Sequence, residues 1–258
     1  MKRTALALIV ALGLAGCNIR VGGTPAVQGS GKKASEKRQT GEFTGVVLDG
    51  SAHVAVKIGE SASVIVEGDD NILPLITTEV KDGRLVIGSR GSYTTRLGIR
   101  VYVTTPKLEA AILSGSGSLR TQQVESRQFE ASVPGSGKIE IDGLTADTVD
   151  ASIGGSGTLK VNGLKCESLA ASLGGSGSIE VSGSANLLEA SIDGSGNLEL
   201  GQLATHDVTV NISGSGQADV QAAGNLDAAI SGSGSVRYSG NPKTVREKIS
   251  GSGRVRAE

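Results

Sequence analysis

Gly-Ser-Gly occurs eight times from residue 115 onward, beginning at Gly115, Gly135, Gly155, Gly175, Gly194, Gly214, Gly232 and Gly251. Successive copies lie 20, 20, 20, 19, 20, 18 and 19 residues apart. Spacing this steady means one supersecondary unit repeated, each copy burying its apolar face against its neighbours. Two residues before each motif sits an aliphatic side chain: Leu113, Val133, Ile153, Leu173, Ile192, Ile212, Ile230 and Ile249. Four before sits mostly alanine, as at Ala111, Ala131, Ala151, Ala171, Ala190 and Ala228, with Val210 and Glu247 departing from the rule. After the motif the alternation resumes at Leu119, Ile139, Leu159, Ile179, Leu198, Ala218, Val236 and Val255. Polar residues fill the positions between, which is the period of two of a strand with one buried face. Gly143, Gly163 or Gly183 then turns the chain, since a residue without Cβ takes positive φ freely.

The expected fold is all-β, a parallel β-helix solenoid of about 20 residues per coil, each coil adding about 4.8 Å. Right-handed winding is expected because the strict hexapeptide period of left-handed forms is missing. Each repeat supplies two clear strands and a short third. Two Phe, three Tyr and no Trp leave Val, Ile, Leu and Ala to build the core, which suits narrow stacked strands. Four segments are expected: a signal over 1–16, a flexible tether over 17–40, an irregular β start over 41–107 and the repeat solenoid over 108–258. Within the irregular start, Val47 to Val56 imitates Ile192 to Leu200 and reads as a degenerate first coil. Gly68 to Ile76 and Gly88 to Gly98 are the only long loops expected there.

The N-terminus has the layout of an export signal. Lys2 and Arg3 precede an apolar run from Ala5 to Leu14, too short for the roughly 20 residues that span a bilayer. Leu14-Ala15-Gly16-Cys17 resembles a bacterial lipobox, in which the cysteine becomes the lipidated first residue. Acyl chains such as palmitate on Cys17 would hold the protein to a membrane, at about 0.8 kcal/mol per buried CH₂. Asn18 after the cysteine fits outer-membrane sorting, with a periplasmic or surface face. Treated as a coil, the tether reaches roughly 25 Å.

Net charge is −1, which gives no field to steer the chain toward nucleic acid. The Gly-Ser-Gly motifs have the residue types of a phosphate loop but lack the following helix and Lys-Ser/Thr; a ladder of seryl hydroxyls is the reading taken. One outward column, Arg120, Glu140, Lys160, Glu180, Glu199, Asp219, Arg237 and Arg256, alternates in sign at first. Its acidic stretch Glu180, Glu199 and Asp219 is a weak candidate for a divalent cation or basic ligand; solvated surface is the alternative. Cys166 has no partner once Cys17 is acylated, and reads as a small buried residue rather than a reactive thiol. His53 and His206 have no neighbours spaced for metal ligation, so no metal and no cofactor is expected. Lys243, Arg246, Lys248, Arg254 and Arg256 gather positive charge in the last coil. That charge either binds an anionic polymer or discourages end-to-end stacking of a bare edge.

Together the lipobox, the irregular start with Gly68-Asp69-Asp70-Asn71-Ile72-Leu73, Leu108-Glu109-Ala110, and coils with Ala-Ser-Ile/Leu before Gly-Ser-Gly resemble the bacterial head GIN domain family over about residues 42 to 255. The resemblance implies a β-helical fold and an adhesin-like head; it brings no catalytic residues. The function expected is therefore a membrane-anchored lipoprotein whose non-enzymatic solenoid serves adhesion or binding in the cell envelope, with envelope polysaccharide or protein as partner. A carbohydrate-active enzyme with its site near the 68–98 loops and a structural envelope spacer are the alternatives.

Overall fold

A computed structural model describes residues 26–258. The signal over 1–16 and the lipobox residues Leu14, Ala15, Gly16 and Cys17 lie outside the described residues. In chain order the strands are β1 (Val27–Gln28), β2 (Lys33–Arg38), β3 (Gly45–Leu48), β4 (His53–Ile58), β5 (Ser63–Asp69), β6 (Ile76–Lys81) and β7 (Arg84–Ser89). There follow β8 (Tyr93–Thr94), β9 (Arg100–Thr105), β10 (Ala110–Leu113), β11 (Ser118–Val133), β12 (Lys138–Ile153), β13 (Thr158–Leu173) and β14 (Ser178–Gly194). The chain ends with β15 (Asn197–Gly214), β16 (Gln217–Ala222), β17 (Asn225–Gly232), β18 (Ser235–Gly240), β19 (Thr244–Gly251) and β20 (Arg254–Ala257). The architecture is an all-β solenoid.

From β11 onward each coil lies directly over the previous one in parallel register. Leu119 pairs with Ile139 and Ile139 with Leu159; Ala131 pairs with Ala151 and Ala151 with Ala171. The two expected strands and short third are joined into continuous 16-residue ladders. Two bends divide each ladder, at Gln123, Gly143 and Gly163 and at Arg127, Asp147 and Glu167, the positions that drop out of the pairing. Gly143 and Gly163 sit at φ of 84° and 67°, the left-handed region that glycine enters without a Cβ penalty. The short middle face buries Val124, Leu144 and Leu164. Where a step shrinks to 18 residues, β15 bulges: Leu200 pairs with Val220 and Ala204 already with Gln221.

The expected inward columns are buried in every coil but the last. Leu113, Val133, Ile153, Leu173, Ile192, Ile212 and Ile230 are at most 2 % exposed, whereas Ile249 in the last coil is 41 % exposed. Among the described residues, β19 pairs only with β17 and β20 only with β18.

The irregular start is a cap with an out-of-order coil. The degenerate coil formed by β3 and β4 stacks beneath β10 and β11, with Leu48 under Leu113 and Val54 under Leu119. Beneath it lies a coil made from later residues, β7 under β3 and β9 under β4. Antiparallel strands close the base, β6 on β7 and β5 on β9, with β2 outside β5. The flexible tether expected over 17–40 is corrected here for its second half, because residues 33–38 are an ordered edge strand. Its alternation of exposed and half-buried positions and its six pairings to β5 replace the apolar signal that the sequence lacks.

Candidate functional site

The seryl amides of the Gly-Ser-Gly turns continue the ladder from coil to coil. Ser116 N–H donates to the Gly50 carbonyl at 3.0 Å, Ser176 to Gly155 at 3.1 Å, Ser215 to Gly194 at 2.9 Å and Ser252 to Gly232 at 2.9 Å. Glycine is required by proximity between coils. A Cβ on Gly157 would lie 2.5 Å from Val133 Cγ1 and 2.6 Å from the Gly137 carbonyl oxygen, where no real Cβ fits. The seryl side chains at the apex are exposed and form a hydroxyl row along one edge.

The outward charge column forms as register dictates, and its partners are already taken. Arg120 Nε donates to Glu140 at 2.9 Å, and Lys138 Nζ lies 2.5 Å from the same carboxylate. Those donors hold the Glu140 carboxyl below the usual range, Lys138 most strongly and then Arg120. Lys160 Nζ reaches Glu180 at 2.5 Å, and Arg237 forks onto Asp219 at 2.6 and 2.7 Å. Thus Glu180, Glu199 and Asp219 do stack, but Lys160 and Arg237 flank the stretch and neutralise two of the three. Glu199 keeps only a 3.5 Å contact from Ser178 Oγ. Among the described residues, no group of three His, Cys, Asp or Glu is arranged to hold a metal ion.

The densest polar chemistry sits at the base, where sequence reading saw only loops. Asp69 is fully buried at the end of β5 and accepts from Gly31 N–H at 2.6 Å, Thr95 Oγ1 at 2.5 Å, Arg96 N–H at 3.0 Å and Leu97 N–H at 3.2 Å. These bonds, led by that from Thr95, lower its pKa to about 2 against the opposing effect of burial. Asn71 accepts from Ser30 N–H at 2.8 Å and donates to the Gln28 carbonyl at 2.7 Å; β1 pairs in parallel with β8. The Gly68-Asp69-Asp70-Asn71 stretch is therefore a clamp that ties residues 28–31, 68–72 and 94–98 together. A carboxylate so held stays ionised at neutral pH and has no proton to give.

Cys166, His53 and His206 lie on three different strands, β13, β4 and β15. Cys166 stands half-buried in the column of Ala146 and Ala185, and burial pushes its thiol up to about 11, the state of an inert thiol. His53 Nδ1 lies 2.8 Å from Ser118 Oγ, and His206 Nδ1 3.2 Å from Asp207.

One lateral trough has a different character. About 1110 Å³ of open groove follows the Gln123, Gly143 and Gly163 corner. Lys57, Pro106 and Lys107 border it at the base, Arg120 and Gln122 on one wall, and Glu125, Thr145 and Lys165 on the other. Gln123, exposed at this corner, holds φ of 53° where the next coils place glycine. That conformation costs a non-glycine residue about 1–2 kcal/mol. Under the trough, Thr121 is 1 % exposed and its hydroxyl has no partner.

A loop-poor β-solenoid with columnar polar faces is the class these features define. The chain belongs to the family described as "Putative auto-transporter adhesin, head GIN domain", which matches residues 42–165 and 152–242. Solved structures share the whole fold. One is described as a putative lipid binding protein from Parabacteroides distasonis, at 26 % identity and TM-score 0.86, covering 91 % of this chain and 100 % of that one. A putative adhesin from Parabacteroides merdae aligns at 24 % identity and TM-score 0.85 over the same shares. A putative adhesin from Parabacteroides distasonis aligns at 26 % identity and TM-score 0.83, also over 91 % and 100 %. No curated protein matches the sequence.

Proposed function

We propose that this protein is a lipoprotein anchored through Cys17 in the bacterial outer membrane, and that its solenoid is a non-enzymatic scaffold for adhesion or binding within the cell envelope. The observation that carries the reading is the absence of loop walls from Ser118 to Gly251: coil after coil stacks in register and leaves broad lateral faces. Family membership and the adhesin descriptions of its structural relatives support it. The enzymatic alternative loses ground at the 68–98 loops, because the carboxylate at their centre is buried, fully hydrogen-bonded and ionised. An envelope spacer would need no ligand at all.

Two measurements test the reading. Radiolabelled palmitate should enter the wild-type chain and not Cys17→Ser; equal labelling removes the anchor. A screen of glycans and envelope polymers should give saturable binding without turnover. Turnover would favour the enzyme, and silence across the screen the spacer. The soluble fragment for that screen starts at residue 26, because β1 and β2 are part of the fold.

A further inference from the structure

We infer that the trough along the Gln123, Gly143 and Gly163 corner binds an acidic polysaccharide, an inference that rests on the scaffold reading above and gives it a site and a ligand class. The trough runs along the solenoid axis across several coils, from Lys57 in β4 to Lys165 in β13. Coils repeat at about 4.8 Å, so its polar groups recur at nearly the spacing of sugar units in an extended chain. The corner residues Gly143 and Gly163 have no side chains, which leaves an open floor between two polar walls.

Charge selects the ligand. Four cations border the trough, Lys57, Lys107, Arg120 and Lys165, against one carboxylate, Glu125. Lys107 is paired with Glu109 at 2.5 Å and Arg120 with Glu140, whereas Lys57 and Lys165 form no ion pair among the described residues. On the Gln122 side, the Asp142 carboxylate is engaged by Asn162 Nδ2 at 2.7 Å. Two free ammonium groups at opposite ends of one groove suit a polymer with spaced carboxylates. Gln122, Gln123 and Thr145 between them offer amide and hydroxyl groups to sugar hydroxyls. Neutral glycans are generally gripped by stacking on aromatic rings, and no aromatic side chain lines this trough.

Gln123 marks the place. The solenoid uses glycine at the equivalent corner of the next coils, yet here it keeps a strained, exposed glutamine. Residues held in sparsely populated backbone regions cluster at ligand-binding and active sites.

The test uses the full-length protein on immobilised polygalacturonate, with dextran as the neutral polymer and poly-glutamate as a polyanion without sugar. We expect saturable binding to polygalacturonate, little to dextran, and weaker binding to poly-glutamate. Lys57→Glu combined with Lys165→Glu should weaken polygalacturonate binding at least tenfold, and Arg254→Glu combined with Arg256→Glu at the far end should not. Gln123→Gly should weaken binding severalfold without lowering the melting temperature, which separates loss of a contact from loss of fold. Equal affinity for poly-glutamate, insensitivity to the lysine pair, or equal loss from the far-end pair overturns the assignment. Binding of a different envelope polymer with none to polygalacturonate also overturns the trough assignment and leaves the scaffold standing; no binding to any polymer removes both.

Discussion

Glycines of one turn do different work. Gly154 has room: a Cβ there would lie 3.6 Å from Pro134 Cα, an ordinary contact. Gly157 has none, because Val133 and the Gly137 carbonyl of the coil below occupy the space. Gly157→Ala should therefore destabilise toward the upper end of the roughly 1–3 kcal/mol typical of overpacking, whereas Gly154→Ala should be nearly neutral; urea midpoints of the two variants decide it. Equal effects would mean that the turn needs glycine only for its dihedral angles. The repeat made this column legible, since eight copies expose which residue types never vary. The same reading could not separate close approach from positive φ, because both select glycine. It found the stacking of Glu180, Glu199 and Asp219 and, from the alternation of sign, the pairing of Lys160 with Glu180, but not that Arg237 engages Asp219. The reach of long side chains between coils is not written in their spacing.

At the scale of elements, the base contrasts with the coils. β2 escaped sequence reading because Lys-Ala-Ser-Glu-Lys-Arg has no apolar face; an edge strand held by β5 and by the Asp69 clamp does not need one. Gln123 escaped as well, since a lone glutamine at a glycine position has no periodic signature. The clamp has a pH dependence whose sign follows from Asp69. Its pKa is about 2 in the fold and 3.8 ordinarily, so its contribution is complete above about pH 4 and is lost as pH falls toward 2. Hydrogen-exchange protection of residues 27–38 should therefore drop at pH 2.5 relative to pH 5, while β12 and β13 stay protected. Asp69→Asn should produce the same local opening at neutral pH. Uniform loss across the molecule in either experiment would show that the clamp is not a separate unit.

For the whole molecule, stability is a sum over stacked coils and the interfaces between them, and it declines toward the open end. Ile139 is fully buried, whereas Ile249 is 41 % exposed on a coil with one neighbour. Ile139→Ala should cost about 2–5 kcal/mol and Ile249→Ala less than about 1 kcal/mol, read from denaturant unfolding; comparable costs would mean that a partner or a second copy covers the last coil. Architecture from residue 108 onward was legible because local period and global stack coincide there. The order of the basal coils was not, since long-range pairing alone decides it. That order also constrains how the molecule is made. β3 and β4 lie between a coil completed only at Thr105 and one begun at Ala110, so a chain delivered amino end first cannot wind its first turn on emergence. Roughly the first hundred residues must arrive before a seed exists, and after that each further winding is templated at once on the one before it.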